Sequence, residues 1–211
     1  MARPAAVPDL DALIAAIVAD DLGAAQRLLR ARPELAREHS PVGAERADAE
    51  AHFYAAITHY RYRGDTALHL AAAGHRRAIV AELIAKGADV EAANRRGARP
   101  LHYAADGGPG IAHWDPSAQA GVIRQLIAAG AGVDAADAGG VTALHRAVRN
   151  RCAAAVAALI AGGADVNRAN ASGSTPLRLA GMTTGRSGSG SAAARAGQDE
   201  IIHLLREAGA G

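Results

Sequence analysis

At 211 residues the chain suits one elongated domain or two small ones, and a formal net charge of +2, despite a pI near 9.0, is too small for a nucleic-acid-binding or membrane-binding surface. Half of the residues are apolar but only 3% are aromatic, so alanine and leucine must carry the packing. A single cysteine, Cys152, excludes an intramolecular disulfide framework, and no apolar run is long enough to span a bilayer.

Residues 1–8 form a short Pro/Ala tail with no charged-then-apolar leader behind it, so the cytoplasm is the expected compartment. Asp9 or Asp11 is placed to cap a helix to about Ala19, with Leu10, Leu13, Ile14 and Ile17 on one face. A second helix is predicted from about Gly23 to Ala31 and ends at Pro33. Residues 37–62 begin with a polar stretch that reads as a loop. They end in Phe53 to Tyr62, rich in β-formers and alternating from Ile57, which reads as an extended hairpin.

From there the chain repeats itself. Thr66-Ala-Leu-His69 is followed by Gly87-Ala-Asp-Val90, and Arg99-Pro-Leu-His102 by Gly130-Ala-Gly-Val133. Thr142-Ala-Leu-His145 leads through Val156, Leu159 and Ile160 to Gly162-Gly163, and Thr175-Pro-Leu-Arg178 opens a last copy. Each unit is two short apolar-periodic helices joined by a turn, with a hydroxyl at most starts and a glycine after the second helix. Such a unit has nothing of its own to pack against and needs neighbours. The register residues Thr66, Arg99, Thr142 and Thr175 are spaced by 33, 43 and 33.

This period of about 33 with a T-P-L-H-x-A start resembles the ankyrin repeat. The resemblance covers roughly residues 64–210, more weakly residues 9–36, and the chain looks like small bacterial members of that family. It implies an all-α solenoid of stacked helix–turn–helix units with short β-hairpin loops. It also implies that His69, His102 and His145 are structural, tying each turn to its neighbours by hydrogen bonds. The expected organisation is a tail over 1–8, a degenerate capping repeat over 9–36 and an insertion with an extended hairpin over 37–62. Repeats follow over 63–96, 97–139, 140–172 and 173–211. The second and last of these carry insertions between their helices. One of ten extra residues spans 106–121 and holds Trp114 with Pro109 and Pro116; the other, of thirteen, is a Gly/Ser-rich stretch over 184–197.

No nucleophile elbow, phosphate-binding loop or H-E-x-x-H occurs, so no catalytic residue, metal ligand or cofactor is assigned. Histidines one repeat apart are too far separated to share a zinc ion. His113-Trp114-Asp115 would set an imidazole beside a carboxylate, but so short a pair is a weak sign of a dyad. Cys152, among Arg149 and Arg151, reads as an ordinary small residue in a turn rather than a reactive thiol. All six aromatics (Phe53, Tyr54, Tyr60, Tyr62, Tyr103 and Trp114) fall within 53–114. They serve equally well as packing for the insertion or as a contact patch, and either way the insertion and the 106–121 loop should meet.

The leading expectation is a non-enzymatic module that binds another protein in a concave groove, with no nucleic acid or membrane involved. Its variable positions by register include Tyr62, Arg63, Asp65, Leu70, Ala73, Tyr103, Asp106, Arg146, Arg149, Asn150 and Met182; Tyr60 joins the contact set, with His113, Trp114 and Asp115 on a lip formed by the loop. The alternative is a small-molecule or catalytic pocket closed by the inserted loops, with Asp106, His113, Trp114 and Asp115 facing Tyr60 or Tyr62. A deep pocket ringed by these side chains favours the second reading and an open groove the first.

Overall fold

The computed structural model describes residues 8–45, 47–112, 114–182 and 192–211. Ten helices run in pairs: α1 (Pro8–Val18) with α2 (Leu22–Ala31), α3 (Ala67–Ala73) with α4 (Arg77–Ala85), α5 (Pro100–Ala104) with α6 (Pro116–Ala128), α7 (Ala143–Arg149) with α8 (Ala153–Ala161), and α9 (Pro176–Ala180) with α10 (Ala192–Glu207). First helices pack on first helices along the stack, and second helices on second helices. The interior is therefore one continuous two-layer core of leucine, isoleucine, valine and many alanines, running from Leu10 to Leu205. Five-to-nine-residue helices are too short to be stable alone. It is this shared core that holds them.

Side chains at the helix starts fix the register. In α3, α5 and α7 the histidine at the third position accepts through Nδ1 from the backbone N–H three residues back: Thr66 to His69 at 3.0 Å, Arg99 to His102 at 3.0 Å, Thr142 to His145 at 3.2 Å. With Nδ1 accepting, the proton sits on Nε2. Each Nε2 then donates to a carbonyl of the following unit, Ala98 (3.1 Å), Val141 (2.9 Å) and Ser174 (3.1 Å). Burial keeps all three rings neutral, and with Arg146 nearby it pushes His102 down to about 4. A second tie comes from the corner between paired helices. There His75 and Arg151 adopt left-handed conformations (φ 53° and 59°) and donate to Ala104 O (3.2 Å) and Ala180 O (2.8 Å) of the next unit.

Between units the chain forms hairpin fingers braced from within. Asn94, Asp137 and Asn170 each accept two backbone N–H groups of their own turn, such as Gly139 (2.8 Å) and Val141 (3.1 Å) on Asp137 Oδ1. Neighbouring fingers are linked by Arg95 N–H to Arg63 O, Ala138 N–H to Arg96 O and Ala171 N–H to Gly139 O, at 2.9–3.1 Å.

The polar start of the 37–62 segment is a loop, as expected, and it is pinned to the stack. Ser40 and Ala44 donate to Asp65 O and Arg61 O, both at 2.7 Å, so this arm lies along the first finger. Gly43 permits the approach, since a Cβ there would meet the Arg63 nitrogen at 2.2 Å. Next comes a small antiparallel hairpin, β1 (Phe53–Tyr54) with β2 (His59–Tyr60), whose tip holds Thr58 in the left-handed region (φ 49°). The first inter-helix insertion is shorter as a loop than expected, because Pro116 opens α6 rather than stiffening a loop; of the Gly/Ser-rich stretch, 192–197 belong to α10 and 184–191 lie outside the described residues.

Candidate functional site

The hairpin does not lie flat on the stack. It overhangs the face formed by the finger tips and the first helices and encloses a cavity of about 450 Å³. Tyr60 and Tyr62 line one side, Arg96 and Val141 come from two successive fingers, and Arg146, Arg149 and Asn150 from the last turn of α7. Tyr103, Asp106, Gly107 and Ile111 complete the lining.

Four charged groups are locked together along this lining. Asp106 Oδ2 accepts from Arg146 Nη1 at 2.9 Å and faces His59 Nε2 at 3.1 Å, and Arg146 Nη2 reaches Asp137 Oδ2 at 3.2 Å. Asn150 Nδ2 lies 3.4 Å from Asp106 Oδ1. His59 Nδ1 meets its neighbour's carbonyl, Tyr60 O, at 2.8 Å. Both ring nitrogens therefore face acceptors, and only the imidazolium satisfies both. Burial is the largest single influence and opposes that charge, but the bond to Asp106, the Asp106 charge and the Tyr60 carbonyl together outweigh it and raise the pKa of His59. The ring also stacks on Tyr103, centroids 4.4 Å apart. For Asp106, burial favours the neutral form, yet the Arg146 charge and the His59 bond hold the carboxyl well below its usual range. Arg146 loses to burial and gains more from its two carboxylates. The His59–Asp106 pair is thus a clamp between hairpin and stack, and it presents no free ring nitrogen to the cavity.

Tyr103 is the floor rather than a surface contact. Its side chain is 1% exposed, and its hydroxyl donates to Asp65 (2.8 Å), a carboxylate that also accepts from Asn94 Nδ2 and the Tyr62 backbone N–H. Asp65 is itself completely buried, and Leu70 and Ala73 are buried in the core, so these three are packing residues, contrary to their place in the expected set, and Tyr103 offers the cavity only its floor. Burial also pushes the Tyr103 hydroxyl pKa well up.

The cavity brings together Tyr60, Tyr62, Tyr103, Asp106, Arg146, Arg149 and Asn150 from that set and leaves out Arg63, Asp65, Trp114 and Asp115. Arg63 is exposed beside the polar arm. Asp115 is exposed and caps α6, accepting from the Ser117 (2.8 Å) and Ala118 (3.2 Å) N–H groups. His113 lies outside the described residues. Trp114 forms no lip on this cavity. It lines a neighbouring one of about 580 Å³, with Ile57, His75 and Ile111, on the other side of the His59–Asp106 clamp. Its indole N–H donates to Gln119 Oε1 at 2.7 Å.

Gln119, His59, Arg96 and Asp137 were not singled out from the sequence. Gln119 is fully buried and makes four bonds, giving Nε2 to Ala104 O and Asp106 O (both 3.0 Å) and receiving Trp114 and the Cys152 thiol (3.0 Å) on Oε1. It fixes the loop that delivers Asp106. Burial pushes the Cys152 thiol up to about 11, which leaves it protonated and inert. The finger period does offer a signal for Arg96, one repeat on from Arg63, and for Asp137, in register with Asn94 and Asn170.

Among the described residues no group of three His, Cys, Asp or Glu side chains is set to hold a metal ion, and no helix is long and apolar enough to cross a membrane. A family model for ankyrin repeats (3 copies) matches residues 13–114 and 117–187. The search of curated proteins finds no match. A match over most of the chain, on helix pairs stacked through histidine-capped first helices, means that the chain belongs to the ankyrin-repeat family.

Proposed function

We propose that this chain is a non-enzymatic binding module that receives another protein in the groove between its hairpin fingers and first helices. Ankyrin repeats are in general protein–protein interaction modules, which sets the class of function. One observation carries the reading to this place. The groove holds two exposed arginines, Arg96 and Arg149, beside Tyr60 and Tyr62, and no carboxylate of the described residues pairs with either guanidinium. Tyrosine and arginine are the residues that dominate binding energy at protein interfaces. Arg146, by contrast, is already engaged on both sides and acts as a rigid wall. We place the encounter in the cytoplasm, where a chain with one cysteine folds without disulfides.

A second reading rests on the cavity itself, whose volume of about 450 Å³ is in the range of small-ligand pockets. It puts a small anion, rather than a protein, between the same arginines.

A photocrosslinking amino acid at position 60 tests the first reading, with position 124 on α6 as the control. The expected result is a discrete protein adduct from position 60 alone, competed away by untagged chain. Equal labelling from both positions, or none from position 60, overturns it.

A further inference from the structure

We infer that the groove selects an acidic segment, seating one carboxylate of an extended peptide between Arg96 and Arg149; this rests on the protein-binding reading above. Several charges in the cavity are already paired. Asp106 Oδ2 is held by Arg146 and His59, with Asn150 beside Oδ1. Asp137 spends Oδ1 on two backbone N–H groups of its own finger and Oδ2 on Arg146. These two carboxylates and the two cations His59 and Arg146 form a closed, nearly neutral set.

What remains is positive. The Arg96 guanidinium lies over the Tyr62 ring, 4.4 Å from its centroid, and the residue is exposed with no carboxylate of the described residues paired to it. Arg149 stands exposed on the last turn of α7. A planar carboxylate matches the fork of donors on a guanidinium, and two such forks at one cavity favour an anion strongly. Asp106 and Asp137 line the same cavity, so an occupant with a single negative charge meets less repulsion than a doubly charged phosphate.

The shape favours a chain over a compact molecule. Tyr62, Arg96 and Val141 come from consecutive fingers, so the lining runs across three units in a row. Tyr60, Ile111 and Val141 offer apolar contact for the residue beside the acid. Tyr60 and Tyr62 also border a shallower cavity with Glu45 and Arg95. That path extends the groove beyond the overhanging hairpin, and there Arg95 is already paired with Glu45 at 3.2 Å.

The test is selection from a random peptide library displayed on phage, using the full chain, followed by fluorescence anisotropy on labelled copies of the selected peptides. Arg96→Glu and Arg149→Glu are the variants and Arg124→Glu, exposed on α6, the control; circular dichroism melts check that all three fold. The expected result is a shared Asp or Glu in the selected peptides. Affinity should fall about tenfold or more in either groove variant, and equally on changing that acid to its amide, with the control unchanged.

Peptides that lose affinity in the groove variants but carry no shared acid overturn the acidic preference and leave the protein-binding reading standing. Peptides indifferent to both variants overturn both. A phosphoserine in place of the acid that binds more tightly overturns the choice of carboxylate. If no peptide is selected, the inference fails; a melting temperature raised by citrate or inorganic phosphate in the wild type but not in Arg149→Glu then assigns the cavity to a small anion.

Discussion

Replacing Gln119 by leucine removes the residue that shapes the first insertion while keeping nearly the same volume. Four hydrogen bonds are lost, but their consequences differ. Ala104 O keeps His75 Nε2 at 3.2 Å, and a thiol is a weak donor, so those two losses are small. The Asp106 carbonyl and the Trp114 N–H lose their partner at 3.0 and 2.7 Å. A buried polar group left unpaired costs about 1–3 kcal/mol, and the half-buried indole sits at the lower end because water can reach it. The sum is about 2–4 kcal/mol, which for a chain of this length lowers the unfolding temperature by roughly 2–4 °C per kcal/mol. Urea unfolding followed by circular dichroism measures the loss. Trp114, the only tryptophan, reports the loop separately, and its native emission should shift to the red while helix content is kept. A cost below about half a kcal/mol with unchanged emission refutes the pin, because such a buried network cannot be both real and free to remove.

Leu144→Ala in α7 truncates a fully buried side chain at the centre of the most regular unit and should cost about 2–5 kcal/mol in the same unfolding assay. A value under about half a kcal/mol would mean that α7 is out of register. Because the folded pKa of His59 is raised by Asp106, its stabilisation is full below the unfolded value of about 6.5 and is lost as pH rises through the folded value. His69, His102 and His145, held neutral by burial, act with the opposite sign and lose stability as pH falls below about 6.5. The difference between wild type and His59→Gln therefore isolates the clamp, and it should shrink above neutral pH. Parallel stability curves for the two proteins refute it.

The stack was legible because its causes are local and repeated. Thr142, Leu144, His145 and Gly163 each do the same job as their counterparts one period away, so spacing alone reveals them. The lining of the candidate cavity was legible only where it uses repeat positions, as for Arg146, Arg149 and Asn150 at the end of α7. Its central contact joins residues 47 positions apart, His59 and Asp106, one from an insertion with no period and one at the mouth of another. Nothing local marks such a pair. Aromatic clustering pointed to the segment that overhangs the cavity, but the structure sets Trp114 against a neighbouring cavity rather than as a lip of this one. A tryptophan in a proline-flanked loop looks the same in sequence whether its N–H faces a partner or, as here, an internal glutamine. Asp115 misled for a similar reason, since an acid before proline and serine is as good a helix cap as a contact.

His69 and His145 each reach a carbonyl 29 residues ahead, whereas His102 reaches one 39 ahead, and all three land on the same point of the next finger. The ten additional residues leave this tie between units unchanged. The corner between paired helices is thus a place where this architecture accepts new chain at little cost to assembly, and where the first layer of a recognition surface can be rewritten while the second stays fixed. For an engineer, the natural graft point is the stretch from Gly107 to Asp115, with Asp106 and Gln119 retained as its anchors. For the lineage that produced the chain, a binding face could be revised by lengthening one corner without repacking a single helix.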